Sequence, residues 1–189
     1  MSNRTEEFIE LYTKYIDRPG SDRLLTWLEG SDFFTAPAST RFHGDHPGGL
    51  CEHSIHVWEE LIRLLKAYPE VRVTAETAAI VSLLHDVCKA NTYKVEMRNK
   101  KENGVWRSVP TYVFNEDFPF GGHGSKSVYL IQKHMALTDQ EALAINCHMG
   151  FADRGANDYS IGNAFDQYPL AWLVHVADES ATYIRESKT

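Results

Sequence analysis

The stretch TAETAAIVSLLHDVCKA, residues 74–90, indicates a helix buried in the protein interior. Thr74 is a good N-cap residue because its hydroxyl can accept a hydrogen bond from the first turn. The alanine-rich face that follows suits close packing, and the pattern predicts a helix that continues to about Lys89. His85 and Asp86 stand directly after an apolar run, where a charged group without a partner is costly. This pair is therefore the first candidate for a functional role.

Helical spacing of apolar residues extends outward from this stretch in both directions. Ser21 or Asp22 is expected to cap the second helix of the chain. Thr138 and Glu141 have the spacing of a capping box, in which each side chain bonds the backbone N–H of the other residue. Besides the helix at 74–89, helices are predicted at about residues 3–17, 21–30, 50–67, 125–135, 138–148 and from Pro169 onward.

Residues 93–114 depart from the helical pattern. Apolar and polar residues alternate in both halves of this segment, and Asn103-Gly104 between them is a strong hairpin-turn signal. We therefore predict an all-α helical bundle with a small inserted β-hairpin. The chain is expected to form one domain over residues 1–189, with N-terminal helices at 1–40 and a helical core at about 41–185.

Composition excludes several classes of protein. The chain has 189 residues, of which 43% are hydrophobic, and this suits a globular domain with a substantial core. No apolar run reaches the roughly 20 residues of a membrane helix, and the N-terminus lacks a signal-peptide pattern. Three sparse cysteines suit a reducing compartment, so we expect a cytoplasmic protein. The net charge of −7 disfavours duplex nucleic acid as a partner but allows a local basic pocket for a small phosphate compound.

Further polar residues interrupt or end apolar stretches that should face inward, namely His53, His123, His148 and Asp178. Each has a simpler interpretation when it is taken alone. A single buried histidine is more often a packing residue, and a histidine at the end of a helix complements the helix dipole. Together with the His85-Asp86 pair they favour a shared partner, because buried imidazoles and carboxylates are costly without one. Imidazole combined with carboxylate suits a divalent ion such as Mn, Fe, Co, Ni or Zn.

The order of these residues resembles a known superfamily. The stretches GGLCEHSIHV (48–57), SLLHDVCKA (82–90) and LVHVADES (173–180) place a His, an adjacent His-Asp and a distant Asp in apolar surroundings. This pattern resembles that of the HD-domain metal-dependent phosphohydrolases over roughly residues 40–185. The resemblance implies a helical bundle with a metal site formed by His53, His85, Asp86 and Asp178. His123 in GGHGSKS and His148 in INCHMGF match the additional ligands of members that hold two metals.

The resemblance implies one or two divalent ions, with Mn, Fe, Co, Ni, Zn and Mg not distinguished. In a two-metal arrangement His53, His85 and Asp178 would bind one ion, His123 and His148 would bind the other, and Asp86 would bridge them. A metal-activated water would then attack the phosphorus of a nucleotide or another small phosphate ester. Three alternatives stay open. They are an HD-fold di-iron oxygenase, a 3′–5′ exonuclease or phosphodiesterase within the hydrolase class, and a module that binds a nucleotide without hydrolysing it.

Several cationic residues are candidates for contacts with the substrate. Lys89 lies one helical turn after the His85-Asp86 pair and is assigned a catalytic role next to the metals. A helix-end lysine that complements the dipole is the alternative. The remaining substrate-binding candidates are Arg41, Lys94, Lys126 and Arg154. His43, His46 and His56 are expected at the surface or in supporting positions, and Cys51, Cys88 and Cys147 are expected to be buried packing residues.

Overall fold

The computed structural model describes residues 3–40, 43–115, 120–153 and 159–187. Within these ranges it is mostly helical, with one antiparallel pair of strands between the fourth and fifth helices. No helix of the described ranges combines the length and apolar character that crossing a membrane requires. The elements are α1 (Asn3–Tyr15), α2 (Ser21–Gly30), α3 (Gly49–Ala67), α4 (Ala75–Leu83), β1 (Tyr93–Glu102), β2 (Val105–Phe114), α5 (His123–Gln132), α6 (Asp139–Asn146), α7 (Ser160–Gln167) and α8 (Pro169–Ser180).

Helices α3, α4 and α8 form the centre of the bundle. Helix α3 packs against both of the others, α6 packs against α8, and α1 covers α4. The facing sides are aliphatic, and Leu50, Ile80 and Val174 have no exposed surface. Burying one such side chain stabilises the folded state by about 1.5–3 kcal/mol. This apolar centre therefore holds the polar side chains that project from the same helices in fixed positions.

The two helix caps that the sequence predicts around α4 and α6 are confirmed. The hydroxyl of Thr74 accepts a hydrogen bond from the backbone N–H of Thr77 at 3.0 Å. Thr138 and Glu141 form a reciprocal capping box at the start of α6. The buried carboxylate of Glu141 also pairs with Arg18, which follows α1, at 2.8 Å. The pair links the N-terminal part of the chain to α6.

Helix α4 ends earlier than the alanine-rich pattern predicts. It does not continue to about Lys89, and a short 3₁₀ turn forms at Val87–Lys89 after a break. The Nδ1 of His85 lies 2.7 Å from the carbonyl oxygen of Ser82, which would accept the next backbone N–H in a continuing helix. The ring of His85 thus occupies the carbonyl oxygen of Ser82, which a continuing helix would need as a hydrogen-bond acceptor. At this break His85 and Asp86 are both buried in the interior.

The predicted boundaries of α2 and α5 differ from the observed ones. Gly20 is the N-cap of α2, with a left-handed φ of 97°, whereas Ser21 or Asp22 was the predicted cap. A Cβ at Gly20 would lie 1.9 Å from the carbonyl oxygen of His134, so only glycine fits this position. Helix α5 begins at His123, two residues earlier than the apolar spacing predicts.

Helix α7 is not predicted from the sequence. It has eight residues, fewer than an isolated helix needs to be stable in water. Its buried residues Ile161 and Ala164 pack with Cys147 in a small apolar cluster, and the helix also packs against α8. Tertiary contacts rather than local propensity therefore stabilise α7.

The predicted β-hairpin at 93–114 is confirmed. Strands β1 and β2 are antiparallel and in register from Tyr93 opposite Phe114 to the turn. Asn103 and Gly104 both have positive φ, at 50° and 85°, as a tight two-residue hairpin turn requires. The far end of the hairpin is exposed, with Trp106 67% exposed, whereas Val113 next to its base is buried.

Candidate metal centre

Four separate parts of the chain bring buried histidines and aspartates to one place. His53 projects from α3, Asp178 from α8, His85 and Asp86 from the break after α4, and His148 from the turn after α6. The three histidines have no exposed surface, and the two aspartates are 2% and 8% exposed. The packing of α3 against α4 and α8 explains the convergence, because each residue lies on the inner side of its element.

The distances between their polar atoms fit a common ion. The Nε2 of His53 lies 3.0 Å from Oδ1 of Asp178, and the Nε2 of His85 lies 3.4 Å from Oδ2 of Asp86. The Nε2 of His148 lies 3.4 Å from Oδ1 of Asp86. Two ligand atoms that each lie about 2.1 Å from one ion are about 3.0 Å apart at right angles and about 3.4 Å apart at the tetrahedral angle.

The other ring nitrogen of each histidine has a defined partner. The Nδ1 of His85 and of His148 lies 2.7 Å from a backbone carbonyl oxygen, of Ser82 and Ile145 respectively. A carbonyl only accepts, so both Nδ1 atoms must carry the proton and donate. In each neutral ring the lone pair is then on Nε2, the nitrogen that faces the aspartates. Metal-bound histidines in proteins are oriented in this way.

The lack of hydrogen bonds to the Nε2 atoms is the observation that favours a metal. Among the described residues, those of His53, His85 and His148 are buried and make no hydrogen bond, although each has a carboxylate oxygen of Asp86 or Asp178 within 3.4 Å. A buried polar atom without a partner costs about 1–3 kcal/mol, and three of them converge here. Two overlapping groups, His53-His85-Asp86 and His85-His148-Asp178, each lie close enough to hold a metal ion, and imidazole with carboxylate suits a divalent one.

The two carboxylates are held in their charged form. Burial alone would raise the pKa of Asp86, but Lys89 and His85 outweigh this effect and hold the pKa well below its ordinary value. Burial also opposes ionisation of Asp178, yet the neighbouring histidines, His53 above all, lower its pKa. Both side chains are therefore acceptors at neutral pH, as ligands of a cation must be.

The histidines show the complementary effect. Burial lowers the pKa of His53, but the carboxylates of Asp178 and Glu186 outweigh it and raise the pKa to about 9. Asp86 and Asp178 likewise raise the pKa of His148 against its burial. An ion that binds these rings would therefore displace protons, as is general for histidine ligands.

His123 lies on the other side of Asp86. Its Nδ1 is 3.8 Å from Sγ of Cys88, and the same sulfur is 3.8 Å from Oδ1 of Asp86. Helix α5 reaches this position because Gly124 allows it to approach α6, where a Cβ would lie 2.4 Å from the carbonyl oxygen of Asn146. Cys88 and His123 thus form a second group with Asp86.

The structure groups the candidate ligands differently from the arrangement that the resemblance implies. The sequence assigns His148 to the same ion as His123, but the structure groups His148 with His85 and Asp178. It groups His123 with Asp86 and Cys88 instead. Asp86 belongs to two of these candidate groups, His53-His85-Asp86 and Asp86-Cys88-His123, and its expected position between two ions stays a prediction.

A cavity of about 170 Å³ borders this second group. Two buried lysines line it. The Nζ of Lys89 lies 2.6 Å from Oδ2 of Asp86, and the Nζ of Lys126 donates to the hydroxyl of Thr92 at 3.4 Å. Burial lowers the pKa of Lys89, but Asp86 outweighs it and raises the pKa, so Lys89 keeps its positive charge. The full lining is Cys88, Lys89, Thr92, Phe114, Phe120, Gly122, His123 and Lys126.

The other predicted substrate contacts lie elsewhere. Lys94 is on the exposed face of β1, where its Nζ pairs with Glu96 at 3.1 Å, and it is not among the cavity residues. Its role stays a prediction. Arg41 and Arg154 lie outside the described residues.

Glu186 escaped the sequence reasoning, whereas the nearby His43 and His56 are among the residues expected at the surface or in supporting positions. Glu186 follows a π-helical turn at Ala181–Arg185 that extends α8. Its carboxylate lies 3.2 Å from Nδ1 of His53 and 2.7 Å from Nδ1 of His56. These contacts lower its pKa to about 2 against the effect of burial, so it accepts from both rings. The ring of His43 lies 4.7 Å from that of His53. Glu186 has no local sequence signal, since its partners are about 130 residues away.

Comparisons with protein-family models, with curated proteins and with solved structures find no match to this chain. The buried His/Asp cluster is compatible with an HD-type metal site. The chemistry of the cluster and of the adjacent cavity is therefore the basis on which a function is proposed.

Proposed function

We propose that the protein is a metal-dependent phosphohydrolase that acts on a nucleotide or another small phosphate ester. The observation that carries the proposal is the convergence of three buried Nε2 atoms without hydrogen bonds on two ionised aspartates. The order of these residues along the chain resembles that of HD-domain phosphohydrolases. The cavity next to Asp86, which Lys89 and Lys126 line, adds a place for an anionic substrate.

The proposal gives each side chain of the cluster a task. His53, His85, His148 and Asp178 would hold one ion, and Asp86 would share it with a second ion next to His123. When bound, such ions act as Lewis acids that lower the pKa of a water and neutralise charge on phosphoryl oxygens. Glu186 and the carbonyls of Ser82 and Ile145 keep the Nδ1 atoms protonated and thereby orient the rings.

Lys89 and Lys126 would bind the phosphoryl group. Both ammonium groups are buried at the cavity wall, and Lys89 is charged there. A buried cation attracts a phosphate more strongly than an exposed one, because solvent screens it less. The cavity of about 170 Å³ suits a phosphoryl group with part of a small substrate rather than a nucleic acid duplex.

The proposal is tested by elemental analysis of the purified protein, followed by a screen of phosphate esters with Mn²⁺, Co²⁺, Zn²⁺ and Mg²⁺. We expect bound metal and phosphate release that depends on an added ion. Asp86→Ala should lose the bound metal and the phosphate release. The control Asp166→Ala removes an exposed carboxylate on α7 and should keep both. A protein that binds no divalent ion would refute the proposal.

The same screen separates the alternatives. Stoichiometric iron with oxygen-dependent turnover and no phosphate release would indicate a di-iron oxygenase. Turnover of oligonucleotides or cyclic nucleotides in preference to mononucleotides would indicate an exonuclease or a phosphodiesterase. A nucleotide that stays bound and intact at full metal occupancy would indicate a binding module.

A further inference from the structure

The three free cysteines of the chain have different surroundings, although all are buried. The Sγ of Cys51 donates to the backbone carbonyl of Arg4 at 3.6 Å, and Cys147 packs in an apolar cluster with Ile161. Cys88 instead has its sulfur between two groups that bind metals, the carboxylate of Asp86 and the ring of His123. The packing role expected from the sequence does not explain this position.

The distances around Cys88 fit a tetrahedral ion. Its Sγ lies 3.8 Å from Nδ1 of His123 and 3.8 Å from Oδ1 of Asp86. A sulfur about 2.3 Å and a nitrogen or oxygen about 2.1 Å from one ion are about 3.6 Å apart at the tetrahedral angle. The three ligand atoms also lie within 4.8 Å of one another. An ion between them would therefore require only small movements of the side chains.

The position relative to the cavity also suits a metal site. Cys88 and His123 both line the cavity, so the ion would face the space where a substrate would bind. Three protein ligands and one position open to substrate or water are the arrangement of catalytic zinc sites.

We propose that Cys88 is a thiolate ligand of the second ion, together with Asp86 and His123. The sulfur would make this site selective for thiophilic ions such as Zn²⁺ and Co²⁺ over Mg²⁺ and Mn²⁺, which take oxygen ligands. On binding, the bond from sulfur to the ion replaces the S–H bond, and the proton leaves to solvent. This inference rests on the proposed metal centre at Asp86 but not on the phosphohydrolase activity.

Titration of the metal-free protein with Co²⁺, followed by absorption, tests the proposal. A thiolate bound to Co²⁺ gives a charge-transfer band in the near ultraviolet, separate from the visible bands that any bound Co²⁺ gives. We expect both in the wild type. Cys88→Ser should lose the charge-transfer band, and the matched control Cys51→Ser should keep it, because Cys51 bonds a backbone carbonyl away from the cluster.

The outcomes separate this inference from the metal centre itself. Two results would overturn the role of Cys88 and leave the metal centre standing. One is visible bands without a charge-transfer band in the wild type, and the other is a charge-transfer band that persists in Cys88→Ser. A protein that binds no Co²⁺, Zn²⁺ or Mn²⁺ would overturn both.

Two further measurements keep the test valid if Cys88→Ser folds poorly. X-ray absorption of the wild-type protein loaded with Zn²⁺ should show a sulfur neighbour at about 2.3 Å, and its absence would overturn the proposal. If the variant folds, its affinity for Zn²⁺ at the second site should fall by at least about tenfold, while its affinity for Mn²⁺ should not change. An equal loss for both ions would indicate a structural role for Cys88.

Discussion

Replacing Glu186 with glutamine removes a negative charge behind His53 and keeps the size of the side chain. The carboxylate is 8% exposed, accepts from His53 at 3.2 Å and accepts from His56 at 2.7 Å. It thereby holds the lone pair of His53 toward the cluster. Loss of such a partner of a metal-bound histidine typically weakens metal binding 10- to 100-fold. We therefore expect Glu186→Gln to lose about 1.4–2.7 kcal/mol of metal-binding free energy.

Competition with a chelator of known affinity measures this loss for Zn²⁺ or Mn²⁺. Glu70→Gln, an identical change in the exposed turn after α3, is the matched control and should bind as the wild type does. His56→Ala should lose less than Glu186→Gln, because His56 only holds Glu186 in place. The double variant should bind no more weakly than Glu186→Gln alone, since both changes act through one interaction. Wild-type affinity in Glu186→Gln, with an unchanged circular dichroism spectrum, would show that Glu186 does not orient His53.

Four other predictions concern the cluster, the cavity and the buried ion pair. Asp86→Ala should lose metal content and turnover together, as measured by elemental analysis and phosphate release, because the carboxylate faces both groups of ligands; wild-type metal content would contradict this. Lys89→Ala should raise KM more than it changes metal content, whereas the exposed control Lys66→Ala should change neither. A loss of metal as large as the change in KM would point to a structural role for Lys89. Removal of a bound ion that was present at about 100 times its Kd should cost about 2.7 kcal/mol and lower Tm by roughly 5–10 °C in a calorimetric scan; an unchanged Tm would argue against a metal in the folded protein. Glu141→Gln should destabilise the protein by about 1–3 kcal/mol at neutral pH, because Arg18 loses the buried one of its two carboxylate partners and keeps Glu76. Burial raises the pKa of Glu141, but Arg18 and the Thr138 N–H outweigh it and lower the pKa, so the pair stabilises the folded state above the unfolded pKa of about 4.3. This contribution is lost as the pH falls through the lowered pKa, and urea titrations should show the difference between variant and wild type shrink below about pH 4; a constant difference would contradict the role of the charge.

Local hydrogen bonds explain why much of the secondary structure could be predicted. The capping box of Thr138 and Glu141 and the turn at Asn103-Gly104 each depend on residues a few positions apart, and both are confirmed. The end of α4 is also local, because the ring of His85 bonds a carbonyl three residues earlier. That competition between side chain and backbone was missed, because the apolar spacing continues through it. Helix α7 was missed because contacts with distant residues stabilise it.

The candidate site was partly predictable for a different reason. Polar residues within apolar stretches marked His53, His85, Asp86 and Asp178 as candidates, and the structure brings these four together. The number and order of these residues along the chain indicate that a partner must compensate the energetic cost of burying them. They do not say which residues share an ion. The structure groups His148 with His85 and Asp178, and it adds Cys88 beside Asp86.

The sequence by itself thus determined most of the helices and the hairpin, and it marked His53, His85, Asp86, His148 and Asp178 as polar residues in apolar surroundings. Only the tertiary structure decided how those side chains are grouped, that Glu186 lies behind His53, and that two lysines line a cavity beside Asp86. The physical reason is the range of the forces. Caps, turns and amphipathic faces depend on neighbours within one or two turns. The positions of the candidate ligands on α3 and α8 and after α4 and α6 depend on how side chains far apart in the chain pack, and no short pattern of residues encodes that packing.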